Sequence, residues 1–135
     1  MSARRRDRWC WGESLEPLRA RLGRGGVLAV PTESSYALAA DPRDGRGVEA
    51  IFRLKGRRRG LPLPVVAGNL VQLAVLGVAI DEPLFRRLAA LWPAPLSLVV
   101  PAAHGLPAAA GGDTLAVRLP GHPQLLALLR ELGLA

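Results

Sequence analysis

The side chains best suited to chemistry in this chain are cations and hydroxyls gathered in a few short segments. The run KGRRRG at 55–60 places Lys55, Arg57 and two further arginines between glycines. A lysine offers a point charge and an arginine a bidentate fork, and both suit phosphate or carboxylate. Glycine permits close approach of the backbone to such a ligand. The run therefore predicts an anion-binding loop, with a solvated loop as the alternative, and it lacks the Walker A pattern.

A second candidate segment is PTESSY at 31–36, which directly follows the short apolar run VLAV. It gathers the hydroxyls of Thr32, Ser34 and Tyr36 at the end of a predicted strand. Such strand ends are where α/β proteins bind ligands. The alternative interpretation is an ordinary Ser/Thr turn that satisfies its own backbone.

The third candidate is the segment TLAVRLP at 114–120. Residues two apart on a strand share a face, so Thr114 and Arg118 are predicted to point the same way, with small Ala116 between them. An arginine beside such an open patch can hold a carboxylate. The alternative is an edge-strand arginine that faces solvent.

Other site classes are excluded by what the chain lacks. Cys10 is its one cysteine and His104 and His122 are its two histidines, so no disulfide, Cys-rich metal site or Ser-His-Asp set is predicted. We therefore predict no protein-held metal. No apolar run reaches the ~18 residues of a membrane helix, and the basic N-terminus has no apolar stretch behind it. The expectation is a cytoplasmic protein that does not contact membranes.

The composition predicts attraction to polyanions. The 135 residues carry 18 basic and 11 acidic side chains, a formal net charge of +7. Every basic residue except Lys55 is arginine. This balance favours binding to polyanions such as RNA, phosphates or acidic membranes, and it does not identify which of them. A lone lysine in such a background marks a place where a compact ammonium is preferred, or it is there by chance.

The elements that must position these residues alternate irregularly between short strands and helices. Residues 1–12 are predicted to be a loose basic arm, residues 13–135 one domain, and 104–113 a flexible connection. The fold class is α/β (or α+β), a single twisted mixed sheet with flanking helices. Strands are predicted at 27–30, 36–39, 63–67, 97–100 and 114–120. Helices are predicted after Ser14, after the loop 41–47 and ending near 55–56, over 69–76, after Asp81 and from Pro123. In the helix after Asp81, the buried side is predicted to carry Leu84, Leu88 and Leu91.

Four strings in this order resemble a known family. PTESSYAL, LKGRRRGLPL, WPAPLS and LAVRLP match the pattern of the YrdC/YciO-like family, the threonylcarbamoyl-AMP synthases. The resemblance covers about residues 13–133. Apolar Leu61 and Val66 stand where the family pattern has asparagine and histidine. The pattern continues with further strands and a Ser-x-Asn motif, so we expect a YrdC-like domain that lacks those C-terminal strands.

The resemblance implies a twisted α/β sheet with a wide basic cavity. It implies that ATP, L-threonine and bicarbonate become threonylcarbamoyl-adenylate and pyrophosphate, usually with Mg²⁺, for modification of the adenosine beside the anticodon of certain tRNAs. By matching position, Lys55 and Arg57 face the nucleotide phosphates and Thr114 lies near the nucleotide. Arg118 holds the threonine carboxylate. The amino-acid end is lined by Thr32, Ser34 and Tyr36.

Three hypotheses follow from the sequence. The first is an enzyme of the threonylcarbamoyl-adenylate type that serves the tRNA-modification machinery, and its catalytic residues are Lys55, Arg57 and Arg118. The second is a basic module that binds a nucleotide or double-stranded RNA without turnover. The third is a shortened domain whose open sheet edge pairs with a second copy to form a homodimer.

Overall fold

A computed structural model describes residues 8–58 and 60–133. Residues 1–7 of the basic arm, Arg59 of the basic run and residues 134–135 lie outside this part. In chain order the elements are α1 Glu16–Gly23, β1 Leu28–Pro31, β2 Tyr36–Ala39, α2 Gly45–Lys55, β3 Val65–Val66, α3 Leu70–Val75, α4 Pro83–Ala89, β4 Leu98–Pro101, a 3₁₀ helix Pro107–Ala109, β5 Thr114–Arg118 and α5 Pro123–Leu132.

The described strands form two small sheets. β1 and β2 make an antiparallel hairpin, whereas β5 lies in a three-stranded sheet between antiparallel β4 and parallel β3. The α/β class and the mixed pairing are confirmed, but the strands do not join in the single sheet that was expected. The short β3 helps to explain the difference, because Pro62 and Pro64 precede it and a proline has no N–H to give to a ladder.

Two apolar clusters hold the domain together. The larger cluster surrounds β5, whose alternate residues Leu115 and Val117 are 1% and 0% exposed. The smaller cluster lies under the β1–β2 hairpin, where Leu18 and Val30 meet Leu125 of α5. Strand alternation therefore buries one face of β5 and leaves Thr114 and Arg118 on the other face.

Side chains cap the starts of α2, α3 and α5. The Asp44 carboxylate accepts a hydrogen bond from the Arg46 N–H at the start of α2, and the Asn69 side chain caps α3 in the same way. At the start of α5, Nδ1 of His122 accepts from the Leu125 N–H at 3.0 Å. Each cap satisfies an N–H that the helix itself leaves without a partner.

The expectations for α4 were wrong in two respects. Glu82 caps the helix through Phe85 N–H at 2.8 Å, whereas Asp81 is exposed. The buried residue of α4 is Phe85, which meets Trp92 with ring centroids 5.9 Å apart. The three leucines predicted to be buried are exposed instead, namely Leu84, Leu88 and Leu91. α4 has only seven residues, so the burial of one aromatic ring decides which face of the helix packs against the core. The leucines lie on the opposite face and are left exposed.

The two segments that were predicted to be loose, 104–113 and the described part of the arm, both make contacts with the rest of the domain. In 104–113, the 3₁₀ helix buries Ala108, whose carbonyl accepts from Leu63 N–H at 2.8 Å, so this connection is structured and not the flexible loop expected. Small alanines allow this close packing. In the arm, Trp9 packs against the smaller cluster and donates Nε1–H to the Ser14 carbonyl at 2.8 Å. Among the described residues, no helix is both long enough and apolar enough to cross a membrane.

Candidate functional site

A cavity of about 200 Å³ lies between the two sheets. Its walls are mainly aliphatic. The two sheets contribute Val30 and Val65, and the helices α2 and α5 contribute Ile51 and Leu128. Three side chains with polar groups line it, namely Thr32, Lys55 and Arg57. A low-dielectric wall strengthens the attraction between such cations and an anion at the cavity mouth.

The end of α2 positions Lys55 and Arg57. Gly56 has φ of 59° and ends the helix, a left-handed conformation that glycine adopts at little cost. The Arg57 N–H then donates back to the Phe52 carbonyl at 3.0 Å. Since the chain reverses at Gly56, the two cations on either side of it reach the same cavity.

The two cations differ in how strongly they are held. Nη2 of Arg57 donates to the Pro62 carbonyl at 2.8 Å, and its buried Nε has no hydrogen-bond partner among the described residues. The Lys55 side chain is exposed and forms no hydrogen bond or ion pair with the described residues. Arg57 is therefore half-buried and held through Nη2, whereas the Lys55 ammonium is free to move to a ligand.

Thr32 belongs to a tight turn between β1 and β2. Its Oγ1 donates to the Ser35 carbonyl at 2.6 Å and accepts from the Ser35 N–H at 3.1 Å. Oγ of Ser34 lies 3.3 Å from the same oxygen. This is the Ser/Thr turn that the sequence offered as the alternative interpretation. The hydroxyl of Thr32 still borders the cavity, but the turn uses most of its hydrogen-bonding capacity.

Arg118 forms an ion pair with Glu33, a residue that sequence reasoning missed. Nη1 of Arg118 lies 2.7 Å from Oε1 of Glu33, and Nε donates to Oγ of Ser97 at 3.1 Å. Oε2 of Glu33 is buried and has no hydrogen-bond partner within the described part of the chain. The signal available in the sequence was the acidic residue inside PTESSY, the segment already selected for its hydroxyls.

The environment of Glu33 favours its ionised form. Burial raises the pKa of Glu33, but hydrogen bonds from its own backbone N–H and from Arg118 outweigh burial, so its pKa lies below the ordinary 4.5. Glu33 is thus a carboxylate that already occupies part of the Arg118 guanidinium.

The structure brings together only some of the predicted site residues. Lys55, Arg57 and Thr32 share the cavity, but Arg118 does not line it and lies beside it, bound to the neighbour of Thr32. Thr114 is exposed at the far end of β5, about 13 Å from Arg118 at the usual rise of a strand. Tyr36 is 79% exposed and faces a separate groove.

The described residues do not offer a protein-held Mg²⁺ site. Asp41 and Asp44 lie just before α2, and each forms an ion pair with the arginine two residues further on. Within 8–58 and 60–133, no three His, Cys, Asp or Glu side chains cluster as metal ligands. A magnesium ion would therefore need phosphate oxygens for most of its ligands.

Fold and site together define an α/β domain with a Lys-Gly-Arg loop at a cavity between two small sheets. The sequence profile of the Sua5/YciO/YrdC family, described as telomere recombination, matches residues 20–135. The chain belongs to this family.

Curated relatives and solved structures agree with this assignment. The chain is 39% identical to a threonylcarbamoyl-AMP synthase of Thiobacillus denitrificans over 91% of its own length and 67% of the relative. A synthase of the same name from Halorhodospira halophila is 37% identical over 84% of this chain and 61% of the relative. The chain thus spans about two thirds or less of these relatives.

A crystal structure of Pyrococcus abyssi Sua5 complexed with L-threonine superposes with a TM-score of 0.76. It is 36% identical to this chain, and the match covers 87% of this chain and 35% of that one. The match confirms the YrdC-like fold expected from the four sequence strings.

Proposed function

We propose that this chain carries the nucleotide-binding part of a threonylcarbamoyl-adenylate synthase, which converts ATP, L-threonine and bicarbonate into threonylcarbamoyl-AMP and pyrophosphate. The observation that carries the proposal is the meeting of Lys55, Arg57 and Thr32 at one cavity. The relatives named threonylcarbamoyl-AMP synthase support it. The proposal concerns the activity of a domain that matches only part of each relative.

The ATP phosphates would bind at the cavity mouth. The free Lys55 ammonium and the Arg57 guanidinium are the donors. A cavity of about 200 Å³ is smaller than the ~300–1,000 Å³ of ordinary ligand sites. It would therefore enclose part of the ligand while the triphosphate stays against the two cations.

Arg118 would hold the threonine carboxylate at the edge of this cavity. Glu33 already binds Nη1, which shows that a carboxylate can reach the guanidinium. The substrate carboxylate would share Arg118 with Glu33 or displace it. Ser34 and Tyr36 at the amino-acid end and Thr114 near the nucleotide stay predictions, since they lie outside the cavity.

The chemistry requires positioning more than a protein nucleophile. The threonine nitrogen attacks the bicarbonate carbon to give a carbamate, with loss of water. A carbamate oxygen then attacks the α-phosphorus of ATP, and the bond to the bridging oxygen breaks as pyrophosphate leaves. Lys55 and Arg57 would stabilise the charge that develops on the phosphates.

Several finer expectations accompany the proposal. Mg²⁺ would arrive bound to ATP, held by phosphate oxygens. The product would serve tRNA modification, and the cytoplasmic location stays a prediction.

Release of pyrophosphate tests the proposed activity. The expected result is release from ATP that requires both threonine and bicarbonate, with the omission of each as the matched control. Binding of ATP without any pyrophosphate would overturn the synthase proposal. That outcome favours the alternative of nucleotide binding without turnover, which the engagement of Arg118 by Glu33 supports.

A further inference from the structure

A second and larger cavity adjoins the β1–β2 hairpin and shares Leu28, Val30, Leu38 and Leu128 with the first cavity. This outer groove has a volume of about 870 Å³ and runs between the N-terminal segment, α1 and the hairpin. It does not contain Lys55, Arg57 or Arg118. The proposed adenylate chemistry therefore leaves it unexplained.

Three aromatic rings line the outer groove. Trp9 and Trp11 lie with their ring centroids 5.5 Å apart in an edge-to-face arrangement. Trp11 exposes 38% of its surface and Tyr36 exposes 79%. Exposed rings such as these two offer surfaces on which another flat ring can stack.

The tryptophans are held in place before any ligand arrives. Trp9 donates Nε1–H to the Ser14 carbonyl. Trp11 lies 6.0 Å from the His122 ring at an interplanar angle of 30°. Since His122 is itself fixed as the cap of α5, the rings lose little freedom when a ligand binds.

The rim of the outer groove is basic. Of the described residues, Arg8, Arg21 and Arg24 line it together with one acidic residue, Glu13. The side chains of Arg8 and Arg24 form no hydrogen bond or ion pair with the described residues. In the sequence, Arg4, Arg5 and Arg6 precede Arg8, with Asp7 between them. The groove thus complements a chain of negative charges.

We propose that the outer groove binds single-stranded nucleic acid, with bases stacked on Trp11 and Tyr36 and phosphates on Arg8 and Arg24. Stacking platforms beside a basic track are the usual means of holding a single strand without reading its sequence. A duplex hides its base faces, so it can use only the arginines. The site is separate from the proposed adenylate site, and its test does not depend on turnover.

A second copy of the chain is the competing occupant. β1 pairs only with β2 among the described strands, so its other edge is open to a further strand. Pairing two copies through this edge would bring both sets of groove arginines together. Like charges at an interface oppose association, whereas the same charges attract a polynucleotide.

The experiment measures fluorescence anisotropy of a labelled oligouridylate, alone or annealed to oligoadenylate. We expect the single strand to bind more tightly than the duplex. Trp11→Ala should weaken single-strand binding about fivefold or more, the loss of one base–aromatic stack, and Trp11→Phe should restore most of it. Arg24→Ala should lower the slope of log K against log salt by about 0.7, the value for one single-strand phosphate.

Arg87→Ala is the matched control, since Arg87 is exposed on α4 and lines neither cavity. Its effect should be smaller than that of Arg24→Ala. Equal affinity for duplex and single strand, or no effect of Trp11→Ala, would overturn the proposal in favour of binding by net charge alone. A light-scattering mass between one and two chains would show partial dimerisation. If Arg24→Ala moves this mass closer to two chains, the groove is assigned to a second copy.

Discussion

The three-stranded sheet and the β1–β2 hairpin differ in how deeply their residues are buried. The three-stranded sheet buries one face in the larger cluster, where Leu115 and Val117 at its centre are almost completely buried. The hairpin has one buried residue, Val30, and lines both cavities. Stability is therefore concentrated in one region, while the surfaces available to ligands are concentrated in the other.

The largest expected effect is on the three-stranded sheet. Leu115→Ala should lower the free energy of unfolding by about 3 kcal/mol, because it leaves a cavity in a core that cannot collapse. The matched change Leu38→Ala in the half-buried hairpin should cost about 1 kcal/mol. Urea unfolding of both variants measures the difference, and equal losses would contradict the division into two regions.

The next effect concerns catalysis beside the hairpin. Lys55→Ala should lower pyrophosphate release about 100-fold, because it removes a donor to the developing phosphate charge. It should leave the unfolding free energy nearly unchanged, since Lys55 is exposed. Arg53→Ala is the control, an exposed cation on the same helix that lines neither cavity. A wild-type rate in Lys55→Ala would remove this residue from the site.

A smaller effect should appear at the link between the two regions. Gln72 is buried between α3 and α5, where its Oε1 accepts from Gly68 N–H at 2.7 Å and its Nε2 donates to the Leu129 carbonyl at 2.7 Å. Gln72→Ala should cost about 2 kcal/mol, because two buried backbone groups lose their partners.

Gln124→Ala is the matched control for this link. Gln124 is exposed on α5, and its removal should change the unfolding free energy by less than about 0.5 kcal/mol. Similar losses in Gln72→Ala and Gln124→Ala would show that the link does not hold the regions together.

The smallest expected effect tests the ion pair at the edge of the hairpin. Glu33→Gln should cost about 1 kcal/mol or less near neutral pH. The pKa of Glu33 is lowered in the folded state, so its contribution is present above the ordinary value of 4.5 and is lost as pH falls below it. Unfolding free energies of both proteins should therefore converge on acidification. A constant gap would contradict the pKa assignment.

The sequence predicted the regular elements better than the way they pack. Strands 27–30 and 36–39 and the start of α5 at Pro123 follow from local patterns, and the structure has them within one residue. The exposed face of α4 could not be predicted, because the contact of Phe85 with Trp92, a residue outside the helix, outweighs the leucine spacing. Local periodicity does not indicate which residues outside a short helix will pack against it.

The same limit applies to the candidate site. Lys55 and Arg57 were found because they lie on either side of one glycine, where spacing along the chain equals closeness in space. The pairing of Arg118 with Glu33 joins residues 85 positions apart, and no local pattern contains it. The outer groove likewise depends on an N-terminal segment folding back against the hairpin.

The placement of the tryptophans gives each region its own optical reporter. Trp92 is buried beside the three-stranded sheet and donates Nε1–H to the Leu96 carbonyl, whereas Trp11 is partly open to solvent near the hairpin. A neutral quencher such as acrylamide should reach these indoles at unequal rates. Emission from the unmodified chain can thus separate loosening of the hairpin side from melting of the core.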